Sequence, residues 1–152
     1  MSVKSTTARK SDKVKQFSVF TANRLGQLHD LIGLLSSREV HVLALMVLDT
    51  TDSAIIRVVV DDPDLARDLM LEHGFPFTES ELLVVQVDAA TRLNELMSAL
   101  LEAELNVNYL YSFIPQPQGK AILALSMEDN EVAEQILKRH QFAVLKQTDI
   151  SR

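Results

Sequence analysis

The stretch 21-TANRLGQL-28 joins two different hydrophobic patterns. The apolar run before it, residues 17–20, predicts a strand, and the leucines that recur at helical spacing from Leu28 onward predict an amphipathic helix. Gly26 lets backbone N–H groups approach a ligand closely, and the start of the following helix favours negative charge. Asn23 and Gly26 are also common in ordinary turns. The stretch is therefore either a plain strand-to-helix connection or an anion-binding loop.

The composition of the whole chain indicates a soluble globular protein. Its 152 residues are 47% hydrophobic, which is enough to form a packed core in one domain or in two small ones. The absence of cysteine excludes disulfides, thiolate metal sites and cysteine nucleophiles. Neither a secretory leader nor an apolar run of membrane-spanning length is evident, so we expect a cytoplasmic protein without membrane association.

Charge is unevenly distributed along the chain. Residues 1–15 hold five basic side chains and one acidic side chain, a balance of +4. Because the formal net charge of the whole chain is −6, the remainder carries −10. The segment 1–15 has too little apolar surface to fold and is predicted to be a disordered basic tail, with a nucleic-acid-binding arm as the alternative. The acidic body would repel phosphate backbones, so nucleic acid is not an expected partner.

Residues 16–79 show a βαββαβ order of hydrophobic patterns. Asp62 followed by Pro63 is typical of a helix start, with Asp as N-cap and Pro as the first helical residue, and Gly74 is a suitable end for that helix. The polar loop 49–53 joins two apolar runs into a hairpin. The predicted strands are residues 17–20, 40–48, 54–60 and 75–77, and the predicted helices begin near Leu28 and Asp62.

Residues 80–152 repeat this order. The predicted strands are 82–87, 107–114, 121–127 and 142–145, and the predicted helices contain residues 93–101 and 132–137. Individual residues correspond as well, first at a spacing of 65 positions and later at 67: Leu28, Leu31 and Leu35 with Leu93, Leu96 and Leu100, then Asp62, Ala66, His73 and Phe75 with Asp129, Ala133, His140 and Phe142. The sequence therefore predicts an internal duplication with a two-residue insertion in the second hairpin loop.

The predicted fold class is α+β, with two ferredoxin-like units whose antiparallel sheets carry both helices on one face. The other face of each sheet would be bare. Residues 42–48 are apolar at consecutive positions, so both faces of that strand require burial, whereas a half-solvated strand should alternate. We therefore expect the two units to dock closely and the chain to form a homodimer.

With the duplication in place, residues 20–28, FTANRLGQL, resemble the strand-loop-helix signature of ACT domains, commonly F-x-x-N-x-P-G-x-L. Residues 48–52 and 57–63 are similar to the hairpin loop and third strand of tandem ACT proteins, and the resemblance covers roughly residues 16–147. It implies a non-catalytic regulatory protein that binds amino acids or other small effectors at interfaces between ACT units. Leu25 stands where the family usually has Pro.

The resemblance also implies a ligand site in the first unit, at Asn23, Arg24, Leu25, Gly26, Gln27 and Leu28. A ligand carboxylate would accept hydrogen bonds from N–H groups at the helix start, and Asn23 would bond to the ammonium or the carboxylate. The alternative is that Asn23 caps the helix and no ligand binds. The corresponding loop of the second unit, residues 87–93, is shorter and lacks Gly, so the site is expected to be asymmetric.

From the second unit, Tyr109, Tyr111 and Ser112 are the expected contributors to this site. Tyr109, Tyr111 and Phe113 alternate along one strand and could stack nucleic-acid bases, but the acidic body favours core or interface residues instead.

Other combinations of residues do not indicate catalysis. His29, His41, His73 and His140 lack metal-ligand spacing, so no metal is expected. The acidic pairs 61–62 and 128–129 each precede a helix, where capping is the commoner role. Neither a Gly-rich phosphate loop nor a serine elbow is evident, so no catalytic residue and no cofactor are predicted.

The sequence predicts a non-enzymatic, allosteric tandem ACT protein that binds an amino acid and signals to a regulated protein partner. The alternative is a structural protein–protein interaction module that oligomerises without a small effector.

Overall fold

The computed structural model describes residues 12–22, 24–89, 91–115 and 120–151. Most of the predicted tail lies outside these ranges, but Val14 and Lys15, at its end, belong to the first strand. The described elements in chain order are β1 Val14–Thr21, α1 Arg24–Ser37, β2 Val42–Asp49, β3 Ala54–Val60, α2 Pro63–Glu72, β4 Phe77–Val87, α3 Arg92–Glu102, β5 Val107–Ser112, β6 Ala121–Met127, α4 Asn130–Arg139, β7 Ala143–Leu145 and α5 Gln147–Ile150.

The strand β4 belongs to both units. Its residues 77–82 pair antiparallel with β1, and its residues 83–87 pair with β6 and β7. The prediction of two separate strands, 75–77 and 82–87, was therefore wrong, because pairing with β1 keeps the polar residues 78–81 extended although their sequence is typical of a loop. The predicted domain division between residues 79 and 80 falls inside this shared strand.

The two ferredoxin-like units are confirmed by the strand order. The sheet path is β2-β3-β1-β4-β6-β5, with β7 pairing to β4. Each unit therefore places its first strand between its third and fourth strands, as right-handed βαβ crossovers require. The α+β class with antiparallel sheets follows directly from these pairings.

The two ends of the sheet path meet. An antiparallel bridge joins Ala44 of β2 to Phe113, and the Ile114 N–H donates to the Leu43 carbonyl at 2.7 Å. The sheet faces without helices thus enclose a shared core, which we call the inter-unit core: Val14, Ala44, Val59, Leu82, Val84, Tyr111, Phe113, Ile122 and Ala124. The expected docking of the two units is confirmed. Leu48, at the end of β2, is nevertheless 44% exposed.

Helices cover the opposite face of each half. Leu31 of α1 and Met70 of α2 pack with Phe17 in the first unit, and Leu96 and Leu137 occupy matching places in the second. Each such leucine contributes about 1.5–3 kcal/mol when it leaves water. These repeated apolar residues therefore help to attach the helices to the sheet.

The predicted helix caps are confirmed in both units. The Asp62 carboxylate accepts from the Leu65 N–H at 3.1 Å, and Asp129 accepts from the Val132 N–H at 3.1 Å. Asp61 has a different role, because its buried carboxylate accepts the His41 N–H at 2.8 Å and contacts His41 Nδ1 at 2.7 Å. These contacts assign both residues of the pair 61–62 to the architecture of the fold.

Candidate functional site

Most of the predicted loop is helical, because α1 begins at Arg24 and the prediction that it begins near Leu28 was wrong. Leu28 packs against the helix-side core, whereas Leu25, in the first turn of α1, is 79% exposed. Asn23 and the side chain of Arg24 lie outside the described residues, so their predicted roles remain predictions. The first turn of α1 carries no acidic residue, and the partial positive charge of this helix start is therefore not offset by its own side chains.

Gln27 has an unusual environment in this turn. Its Oε1 atom is buried and accepts no hydrogen bond from the described residues. A buried carbonyl oxygen without a donor costs about 1–3 kcal/mol. A ligand that brings an N–H donor, such as an ammonium group, would remove this cost.

Two of the predicted contributors from the second unit, Tyr109 and Tyr111, form hydrogen bonds with Gln16 of β1. Gln16 Nε2 donates to Tyr109 Oη at 2.7 Å, and Tyr111 Oη donates to Gln16 Oε1 at 2.6 Å. In the described structure neither tyrosine forms a hydrogen bond with residues 24–28, and Ser112 is exposed. Tyr111 is only 8% exposed within the inter-unit core, which confirms its interpretation as a core residue.

The tyrosines belong to a polar network that faces the inter-unit core. Arg57 Nη1 donates to Ser18 Oγ and to Tyr109 Oη, both at 3.1 Å, and the guanidinium carbon lies 4.2 Å from the Tyr109 ring centroid. Burial raises the pKa of the Tyr111 hydroxyl well above its ordinary value, with a further contribution from Tyr109. Sequence reasoning missed Gln16, Ser18 and Arg57. Their signal was a set of polar residues at alternating positions in otherwise apolar strands.

Two clefts lie away from the predicted loop. The larger, of about 630 Å³, is lined by charged residues whose charges pair: Arg67 with Asp64 and Glu79. Hydrogen bonding to Glu79 is the main cause of the raised pKa of Arg67. The other, of about 310 Å³, is lined by Leu43, Gln86, Phe113, Pro115, Ile122, Leu145, Asp149 and Ile150. Neither cleft could be foreseen, because their walls combine residues from both units.

Within the described ranges, histidine, aspartate and glutamate side chains do not gather in groups of three or more that could hold a metal ion. Glu128 accepts from the Asn106 N–H at 3.3 Å, so both members of the pair 128–129 also have structural partners. In the same part of the chain, no helix is both long and apolar enough to cross a membrane.

Solved structures share this architecture. A protein from Bacteroides thetaiotaomicron is 21% identical, with a TM-score of 0.84 and coverage of 93% of this chain and 98% of that one. The ligand-free regulatory subunit of aspartate kinase from Thermus thermophilus is 14% identical, with a TM-score of 0.61 and coverage of 86% and 92%. The corresponding subunit from Thermus flavus is 16% identical, with a TM-score of 0.55 and coverage of 85% and 92%. At these identities the likeness shows the fold alone.

No curated protein matches this chain. The family model described as an ACT domain pair matches residues 12–152, which includes both βαββαβ units and the strand they share. The chain therefore belongs to the family of ACT domain pairs.

Proposed function

We propose that this ACT domain pair is a non-catalytic regulatory protein that binds an amino acid at residues 23–28 and transmits ligand occupancy to a protein partner. The observation that supports this site best is the buried Gln27 Oε1 at the start of α1, which accepts no hydrogen bond from the residues that the structure describes. An amino acid carries both missing groups, since its ammonium can donate to Gln27 and its carboxylate can accept from N–H groups of α1.

The second unit offers a poorer site. The first turn of α3 already contains Glu95, which pairs with Arg92 at 3.2 Å. This carboxylate offsets the positive end of α3, so an anionic ligand gains less there. The loop before α3 also lacks glycine. We therefore propose one amino-acid site per chain, in the first unit.

The shared strand provides the route of transmission. The proposed site lies at the end of β1, and β1 pairs with the half of β4 that precedes the second unit. A ligand that restricts the motion of the end of β1 would change the packing of β1 against β4 and thus the relative orientation of the two units. In this proposal the protein is a cytoplasmic homodimer, and the fold shared with aspartate kinase regulatory subunits supports a regulatory role.

Thermal-shift measurements against the standard amino acids test this proposal. We expect one or a few amino acids to stabilise the protein, by about 2.7 kcal/mol at a concentration 100-fold above Kd. Gly26→Val and Gln27→Leu should abolish the stabilisation, and Thr91→Val, in the corresponding loop of the second unit, should retain it. A folded wild type that responds to no amino acid would contradict the proposal.

The second candidate is an oligomerisation module without a small effector. It is favoured by partly exposed apolar side chains at one end of the sheet, where Phe20 is 39% and Leu48 is 44% exposed. Light scattering after size-exclusion chromatography separates the alternatives. A dimer that Leu48→Asp converts to a monomer, with no response to any amino acid, would favour this module, whereas a monomeric wild type would contradict both homodimer proposals.

A further inference from the structure

Arg57 is a half-buried cation whose described partners are all neutral. Its Nη1 bonds to the hydroxyl groups of Ser18 and Tyr109 at 3.1 Å, and its buried Nε makes no hydrogen bond with any described residue. The Tyr109 hydroxyl accepts from both Gln16 and Arg57, and its own proton has no acceptor among the described residues. Within the described part of the chain, donors therefore converge at this point without an anion, although charge burial is costly unless an opposite charge is nearby.

Arg92 makes a similar contact with an aromatic ring but also has a carboxylate partner. Its guanidinium carbon lies 4.0 Å from the Phe142 ring centroid, close to the 4.2 Å distance between Arg57 and Tyr109. Arg92 also donates to the Glu95 carboxylate at 3.2 Å and to the His140 carbonyl at 3.2 Å. Among the described arginine side chains that are half-buried, only Arg57 lacks a carboxylate partner.

An apolar row lies next to Arg57 on the same sheet face. Ile55 pairs with Phe20 on one side and with Leu48 on the other, two positions along each strand from Arg57 and its neighbours. Because side chains alternate between faces, this row shares the face of Arg57. Phe20 and Leu48 remain 39% and 44% exposed, so solvent reaches this row.

We propose that Arg57, together with Ser18 and Tyr109, binds the carboxylate of a small apolar carboxylic acid, whose apolar part lies on Phe20, Ile55 and Leu48. One guanidinium with neutral hydroxyl neighbours matches a single negative charge, whereas a dianion would leave a charge uncompensated. This carboxylate site is separate from the proposed amino-acid site at residues 23–28. It uses the sheet face of the first unit, and its charge comes from a side chain.

Isothermal titration calorimetry with sodium isovalerate, at constant ionic strength, tests the carboxylate site. We expect the wild type to bind isovalerate better than acetate, which lacks the apolar part, or isoamyl alcohol, which lacks the charge. Arg57→Met should weaken binding by about 10- to 100-fold, because it removes a charged hydrogen-bond donor. Arg92→Met is the matched control and should leave the affinity unchanged.

Two further measurements separate this site from the proposed amino-acid site. Gly26→Val should retain isovalerate binding, and the NMR signal of the Arg57 Nε–H should shift on titration with isovalerate. Binding that survives in Arg57→Met but disappears in Gly26→Val would overturn the inference and leave the proposed function intact. Absence of isovalerate binding by the folded wild type, or equal binding of acetate or the alcohol, would also overturn it.

Discussion

The two units have the same backbone fold but differ in the side chains on the sheet faces that they turn toward each other. Ser18 pairs with Arg57 between β1 and β3, whereas Val84 pairs with Ala124 at the corresponding place between β4 and β6. At this pair of positions the first unit thus presents polar side chains to the inter-unit core, and the second presents apolar ones. Duplication has kept the positions that define each unit, while the facing surfaces differ in chemistry. Functional asymmetry should therefore lie in the first unit.

Exchanging the side chains at this pair of positions should have the largest effect on stability. Ala124 is fully buried in the inter-unit core, so Ala124→Arg would place a large cation without a partner in packed surroundings. We expect this variant to fail to fold or to lose more than about 4 kcal/mol of unfolding free energy in urea denaturation. Arg57→Ala, the reciprocal control, should cost at most about 2 kcal/mol. Equal stability of both variants would show that the two faces do not differ.

A contact that is repeated directly after β3 and after β6 should have the next largest effect on stability. Asp61 is 4% exposed and bonds to His41, whereas Glu128 is exposed and bonds more loosely to Asn106, at 3.3 and 3.4 Å. Asp61→Ala should cost about 1.5–3 kcal/mol, because it leaves the His41 N–H without its charged acceptor. Glu128→Ala should cost less than about 1 kcal/mol. Urea denaturation measures both losses of unfolding free energy. A larger loss in Glu128→Ala than in Asp61→Ala would contradict this expectation.

The similarity between the units was predictable from sequence, because local patterns determine it. Helical spacing identified Leu31 and Leu96, and the capping preference of aspartate identified Asp62 and Asp129. These signals need only neighbours three or four residues apart. The family resemblance also identified residues 23–28 as a candidate site. That the buried Gln27 Oε1 accepts no hydrogen bond from the described residues could be seen only in the folded structure.

The contacts between the units were not predictable in the same way. The continuity of β4 depends on pairing with β1, and its polar residues 78–81 carry no strand signal of their own. Likewise, Arg57 meets Tyr109 only because β2 and β5 meet across the closed end of the sheet path. Such contacts join residues that are distant in sequence, and hydrophobic periodicity contains no information about which polar residues face one another.

The buried hydroxyl of Tyr111 gives the polar network of the inter-unit core a measurable dependence on pH. Its pKa is raised above the ordinary value of 10.0 chiefly by burial, so the folded protein retains this proton where the unfolded chain loses it. The resulting stabilisation is fully present below about pH 10 and decreases as the pH rises above that value. Tyr111→Phe should cost about 1–2 kcal/mol at pH 7, because Gln16 Oε1 loses its donor, and should flatten the pH dependence above pH 10. An unchanged alkaline slope in this variant would assign the loss of stability to other groups.

The smallest expected effect concerns a feature that is the same in both units. Gly74 and Gln141 follow α2 and α4 in the left-handed region, with φ of 73° and 66°. In each case the backbone N–H of the next residue donates a hydrogen bond of 2.9 Å to a helix carbonyl. Phe75 donates to Met70, and Phe142 donates to Leu137. Because only glycine adopts this conformation without strain, Gln141→Gly should raise the unfolding free energy by up to about 1 kcal/mol. Gly74→Ala should lower it by a similar amount, since a Cβ at Gly74 would meet no atom within 4 Å and only the backbone conformation opposes it. Thermal denaturation of both variants would measure whether the two helix ends are equivalent in energy as well as in geometry. A loss of stability in Gln141→Gly would show that the glutamine side chain makes a stabilising contribution that the first unit lacks.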